Sequence, residues 1–150
     1  MDEKYTPVIN GMIDSITNVI PFPLAVHDFT WFQSPLFQEE IGVLLSLTGD
    51  LHVRFVLEGE MGAFSKLGEK MFGMKLEDQL LESFAGELGN MLVGHLSTYL
   101  SSKGLRIDIT PPTIMVGKTK LYGFDQGVCI PFEMDDMGVI RMNIIIDSKE

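Results

Sequence analysis

From Leu76 to Ser102 apolar residues recur at helical spacing for about seven turns. Leu81, Phe84, Leu88, Leu92, Leu96 and Tyr99 form the stripe of a core-facing helix. Glu77 and Asp78 sit in its first turn, Lys103 at its end and Gly104 just beyond, as the helix dipole and C-terminal cap favour. The opposite face is small and polar, with Gln79, Gly86, Gly94, Ser97, Thr98 and Ser101 around Ser83, Glu87 and Asn90. At about 100° per residue the last three side chains fall within about 60° of one another. Each glycine in a helix interior costs roughly 1 kcal/mol relative to alanine. Gly86 and Gly94 therefore point to a close approach by another backbone or loop. The pattern leaves two readings open. The face packs against the protein's own first helix or a dimer mate, or it is a site.

The remaining elements would cover the apolar stripe. Residues 3–20 carry Ile9, Met12, Ile13, Ile16, Val19 and Ile20 at helical spacing, and Pro21 and Pro23 end that helix. Residues 24–33 read as one strand. Ile41–Leu47 and Leu51–Leu57 read as two more, joined by a tight type II′ hairpin at Gly49-Asp50. Met61–Phe72 is a shorter helix stopped by Gly73. Strands follow at Leu105–Ile109, Thr113–Gly117, Gly127–Glu133 and Val139–Ile146. Pro111 and Pro112 break the first from the second, and the last two form a hairpin around Asp135 and Asp136. The expected class is α+β: about three helices on one face of a mostly antiparallel single sheet of five to seven strands. With no linker or low-complexity tract, residues 1–150 are expected to form one domain.

Composition narrows the function classes. The net charge of −10, with eleven scattered basic residues and no basic run, argues against nucleic-acid binding. The longest apolar runs are a few residues, far short of a membrane span. The start, Met1 to Tyr5, lacks the pattern of a signal peptide, and the single Cys129 excludes an internal disulfide framework. A cytoplasmic location is expected.

What can a glutamate and an asparagine do one turn apart? Neither is an obvious nucleophile. Acid–base catalysis usually needs a histidine or two carboxylates with separated pKa values. A carboxamide both accepts and donates, so it can hold a water in one orientation. That suffices when the electrophile is already activated, as when a glutamine orients water on a phosphoryl group neutralised by Mg²⁺. The glutamate could grip a cation on a partner. The pair predicts a helper enzyme acting on a phosphoryl group held by another protein.

Ser83, Glu87 and Asn90, as Ser-x-x-x-Glu-x-x-Asn on a long helix, resemble the signature of the CheC/CheX family of chemotaxis phosphatases. Supporting segments run through most of the chain: Val8–Ser15, Leu47–Leu51, Phe84–Leu92, Asp108–Gly117 and Ile130–Glu133. The likeness is closest to CheX. It implies a CheC-like/CheX-like fold and dephosphorylation of the aspartyl-phosphate of a CheY-type response regulator. By the same resemblance Asn90 orients the attacking water and Glu87 pairs with the regulator's active-site lysine. Ser83, Gly86 and Gly94 would line the partner-binding face. No cofactor is implied for this chain, because the Mg²⁺ and the phosphorylated aspartate belong to the partner. CheC proteins carry a second copy of the motif on the first helix. Here that spacing falls on Asn10, Asp14 and Thr17, with the glutamate shortened and the asparagine replaced, so that copy is expected to be inactive. CheX proteins are homodimers joined through their sheets, and a homodimer is the expectation here. The alternative is a non-catalytic dimeric adaptor, since relatives of this fold serve in the flagellar switch.

Other residues have plainer readings. His27, His52 and His95 show no metal-ligand spacing, and His95 is expected to be a packed, hydrogen-bonded side chain. Cys129 is expected in the core, the ten methionines as core filler, and Trp31 and Phe32 as buried.

Overall fold

In a computed structural model the described residues are 5–135 and 137–147. They form three helices and ten strands. The helices are α1 (Thr6–Val19), α2 (Met61–Phe72) and α3 (Asp78–Ser101). The strands are β1 (Ala25–Val26), β2 (Thr30–Gln33), β3 (Leu36–Gln38), β4 (Ile41–Gly49), β5 (Val53–Gly59), β6 (Ile107–Ile109), β7 (Thr113–Val116), β8 (Thr119–Leu121), β9 (Gln126–Glu133) and β10 (Val139–Ile146). The main sheet runs β1-β9-β10-β5-β4-β6, with β2 also on β9 and β7 also on β4; every pairing is antiparallel. The helices pack on this sheet, as the α+β reading expects.

Each outer position of the sheet is shared by two short strands, and local chemistry explains both breaks. The single strand expected over residues 24–33 is split. Ala25 and Val26 pair with Glu133 and Phe132, while Thr30 pairs with Cys129, so residues 27–29 face only Ile130 and Pro131. This is a one-residue bulge, and it falls where Pro131 offers no N–H to the ladder. On the far side β7 pairs with β4 from Ile41 to Leu44, and β6 pairs with it from Leu47 to Gly49. Thr110, Pro111 and Pro112 bulge between them, and the Thr110 hydroxyl accepts the Ser46 N–H at 2.9 Å.

The two-residue hairpin at Gly49-Asp50 is not what forms. The last β4–β5 pair is Leu47 with Val53, and β4 continues through Gly49 along β6 instead. Gly49 has φ +107°, and a Cβ there would stand 2.4 Å from the Arg106 carbonyl oxygen. Asp50 then clasps Arg106, its N–H donating to Arg106 O and its carboxylate accepting the Arg106 N–H, both at 2.8 Å. The expected α2 bounds are found: Gly73 adopts φ +74° and its N–H returns to Glu69 O at 2.7 Å. Asp135, at φ 45°, lies in the β9–β10 connection, while Asp136 is outside the described residues.

The core divides across the sheet. Phe55, Leu57, Val128, Ile130, Phe132, Met142 and Ile144 face the helices. Val56 and Ile145 face the other way, under Leu36 and Phe124. This second layer corrects the single-sheet expectation: β3 and β8 form a separate two-stranded ladder that helps cover the outer face. Cys129 is a second correction. It alternates with Val128 and Ile130, so it faces outward and is half-buried, apart from the helix-side core. Trp31 is likewise exposed at its strand, whereas Phe32 is half-buried edge-on to Phe124 at 6.0 Å.

The outer face also holds a buried charge pair. Glu58, 1% exposed, accepts from Arg141 Nε through one carboxylate oxygen and from the Glu39 N–H through the other. Removing the guanidinium would leave a buried carboxylate short of its counter-charge. Arg141→Ala is expected to lower unfolding free energy by about 3 kcal/mol, read from urea denaturation. Arg141→Ala combined with Glu58→Gln should recover part of that loss.

Candidate functional site

Helix α3 owes its placement to small residues on its partners and on itself. A Cβ on Gly89 would stand 3.1 Å from both Leu45 and Val43 of β4, so the helix backbone lies close to the sheet. A Cβ on Gly86 would stand 3.0 Å from Ile114 Cδ1 of β7. On the α1 side, Gly11 admits Leu96 and Tyr99, and the buried Ser15 hydroxyl donates to Leu92 O at 2.7 Å. On the α2 side, Phe84 meets Phe72 edge-on at 5.8 Å. Beyond its last turn Gly104 takes φ +91°, and the Leu105 N–H returns to Leu100 O at 3.3 Å. The helix is clamped along three sides.

The fourth side carries Ser83, Glu87 and Asn90, all exposed. Among the described residues none of their side chains makes a hydrogen bond or ion pair. They are brought together, as the spacing predicts, and their polar groups are free for a ligand outside the chain. The two glycines of this face differ. Gly86 is buried and filled by Ile114, so its close neighbour is the chain's own β7 rather than α1. Nothing comes within 4 Å of a Cβ built on Gly94. Of the two, Gly94 is the one that leaves room.

The corresponding face of α1 behaves differently. Asn10, Asp14 and Thr17 are exposed there too. But Asn18 Nδ2 donates to Asp14 Oδ1 at 2.8 Å, and the Thr17 hydroxyl donates to Asp14 O at 3.0 Å. Asp14 and Thr17 are engaged within their own helix, while the Asn10 side chain makes no bond among the described residues.

Two residues that spacing arguments passed over border the α3 face. Leu80 is seven residues before Glu87, hence on nearly the same line, and is 57% exposed. Ile114 reaches the face from β7 through the gap at Gly86 and is 37% exposed. The signal for Leu80 was a lone large apolar residue at polar-face spacing. Ile114 lies 27 residues from Glu87 in sequence and gave no local signal.

Elsewhere the chemistry is quieter. A cavity of about 400 Å³ on the outer face of the sheet is lined by Glu58, Cys129, Arg141 and Asn143 among others. Burial pushes the Cys129 thiol up, only partly offset by the Arg141 guanidinium, so it is protonated at neutral pH and a poor nucleophile. Asn143 Nδ2 donates to Val56 O at 3.0 Å. His27 Nε2 meets Glu133 Oε2 at 2.7 Å, remote from α3 in the ladder. His95 is half-buried, but its Nδ1 has no partner, contrary to the hydrogen-bonded expectation. Among the described residues no three His, Cys, Asp or Glu side chains gather as a metal site requires, and no helix is long and apolar enough to cross a membrane.

Comparisons with known proteins converge on one group. Residues 41–133 match the family described as "Chemotaxis phosphatase CheX". The chain is 31% identical over 121 residues to the CheY-P phosphatase CheX of Thermotoga maritima, covering 74% of this chain and 76% of that protein. Among solved structures, a CheC-like superfamily protein from a Shewanella species superposes with TM-score 0.80 at 24% identity, covering 97% of this chain and 98% of that one. The CheX of a CheX–CheY complex from Borrelia burgdorferi, bound with beryllium fluoride and magnesium, superposes with TM-score 0.76 at 18% identity, covering 95% and 96%. FliY of Thermotoga maritima shares the fold at TM-score 0.66 and 16% identity, covering 97% and 87%.

Because Gly94 has open space around it, Gly94→Ala should raise stability by up to about 1 kcal/mol through helix propensity, seen as a higher urea midpoint. Cys129→Ser should leave catalytic turnover within twofold of wild type, which a thiol nucleophile would not survive.

Proposed function

The chain belongs to the chemotaxis phosphatase CheX family, and we propose that its substrate is the aspartyl-phosphate of a CheY-type receiver domain, hydrolysed on the exposed face of α3. The observation that carries this reading is the set of Ser83, Glu87 and Asn90: coplanar on one helix face, exposed, and unbonded within the described chain. A phosphatase that used a nucleophile of its own would need an activated thiol, hydroxyl or histidine beside these residues. Cys129 is on the opposite side of the sheet with a raised pKa.

The division of labour follows from the side chains. Asn90 enters the receiver's site, its Oδ1 accepting a hydrogen bond from the attacking water and holding a lone pair toward phosphorus. The water oxygen bonds to phosphorus as the bond from phosphorus to the aspartyl oxygen breaks. The leaving group is a carboxylate, so no general acid is required, and the released phosphate carries the water's protons away as dihydrogen phosphate. Glu87, one turn back, pairs with the receiver's active-site lysine and fixes the register of the two proteins. The Mg²⁺ that neutralises the phosphoryl oxygens is carried by the receiver. Ser83, a turn beyond Glu87, lies at the rim of the contact, and Gly94 gives the partner's backbone room on the other side.

The Thermotoga relative is named a CheY-P phosphatase, and the Borrelia relative was solved with CheY. Both names support the choice of substrate. In the same reading two copies pair through a sheet edge, which here means β1/β2 or β6/β7. Light scattering at a single chain's mass would remove the dimer from the proposal.

Wild-type protein mixed with a phosphorylated receiver encoded beside it should shorten the phosphate lifetime; no effect on any such receiver would overturn the reading. Asn90→Ala is expected to lower kcat on the order of 10²-fold by freeing the water. Since a carboxamide does not titrate, the wild-type rate should show no step near pH 6–7 that disappears in that variant. A step abolished by His95→Gln would instead indicate acid–base chemistry.

A further inference from the structure

We infer that Leu80 and Ile114 are the apolar contacts that seat the receiver domain on α3, flanking Glu87 and Asn90 and helping to set which receiver is accepted. The inference rests on the phosphatase reading and adds residues that the motif does not contain.

The first observation is placement. Leu80 stands two turns before Glu87 on almost the same helical line. Ile114 comes in from β7 beside the neighbouring Gly86, whose missing Cβ allows its Cδ1 to settle against the helix. The motif is thus bounded by one large apolar side chain along the helix and another across it. Both remain substantially exposed, at 57% and 37%.

The second observation is charge. The chain has 21 acidic and 11 basic residues, yet in α3 only Asp78, Glu82 and Glu87 are acidic and no Lys or Arg occurs. Asp78 stands at the helix start and Glu82 is half-buried, so Glu87 is the one exposed carboxylate of α3 beyond its first turn. A helix surface that served only to keep the protein dissolved would carry a share of the chain's charges. A surface with a single central carboxylate and exposed leucine and isoleucine loses little hydration when covered by a partner that supplies the counter-charge.

Charge also chooses the occupant. A second copy docking face to face about a twofold axis would bring Glu87 toward its own equivalent, with no Lys or Arg from α3 to compensate. The complementary partner presents a cation ringed by apolar surface. The active-site lysine that the proposed function assigns to the receiver supplies that cation, and the apolar rim is what the experiment below tests.

The experiment uses the full chain with a receiver domain in two states. With the phosphorylated receiver, Leu80→Gln and Ile114→Gln should each raise KM by about tenfold, the scale expected when a partly buried aliphatic contact is lost, while kcat stays within twofold. Leu80→Met should restore a KM near wild type. With the beryllium fluoride-loaded receiver, calorimetry should show the same tenfold weakening of Kd. Leu80 is the cleaner position, since its side chain is exposed; an unchanged urea midpoint confirms that its variant folds. A Leu80→Gln protein whose KM and Kd both stay within twofold of wild type overturns the inference. So does a variant that changes self-association instead of receiver affinity, which would assign the surface to a second copy. If wild type binds the loaded receiver but does not hydrolyse the phosphorylated one, the phosphatase reading fails while the calorimetric comparison still tests the docking contacts.

Discussion

How closely α3 lies on the sheet decides the rest of this molecule's working surface. Gly89 lets its backbone come down onto Val43 and Leu45, and Gly86 lets Ile114 rise beside it. A larger residue at Gly89 would lift the helix from the core face, and Leu88, Leu92 and Leu96 would lose their contacts. A larger residue at Gly86 would push Ile114 away from the motif. Two glycines that are unfavourable for the helix alone are therefore what allow a rigid, well-packed platform. The Ser15 hydroxyl on Leu92 O fixes the remaining freedom by tying α1 to the same helix. In the proposed mechanism that rigidity matters, because water positioning tolerates little displacement of the orienting amide.

The equivalent faces of α1 and α3 are both exposed but differ in their side-chain hydrogen bonds. Asp14 and Thr17 are as exposed as Glu87 and Asn90, but their polar atoms are occupied by neighbours on the same helix. Asn18, one residue beyond the motif spacing, takes the carboxylate that a partner would need. On α3 Ser83 and Asn90 stand at comparable spacing from Glu87, but among the described residues neither bonds to it. In the proposed reading this difference in local hydrogen bonds separates the working face from the silent one.

Much of this was legible from the sequence, for physical reasons that differ by element. The α3 stripe, the Gly73 stop and the final hairpin strands carry strong periodicity, and they appear nearly where expected. The motif was legible because helical spacing is a local property. What escaped was non-local. The bulge opposite Pro131 depends on which strand pairs with β9, so residues 24–33 looked continuous. Gly49 looked like a turn residue because its true neighbour, Arg106, is distant in the chain. The β3–β8 ladder is too short to announce itself, yet it helps cover a second, smaller core on the outer face, around Val56 of β5 and Ile145 of β10. Cys129 was assigned to the wrong face because alternation gives a period without saying which phase points toward the helices.

The absence of side-chain bonds at Ser83, Glu87 and Asn90 among the described residues has an evolutionary side. Residues that hold nothing within the fold can change without endangering it, so partner choice and structural integrity are under separate control. A duplicated copy of such a gene could lose its activity, or move to a new receiver, through a few surface substitutions while every core contact stayed in place. The wide spread of sequence among proteins that keep this architecture, down to 14% identity at TM-score 0.77, is the divergence that such a separation permits.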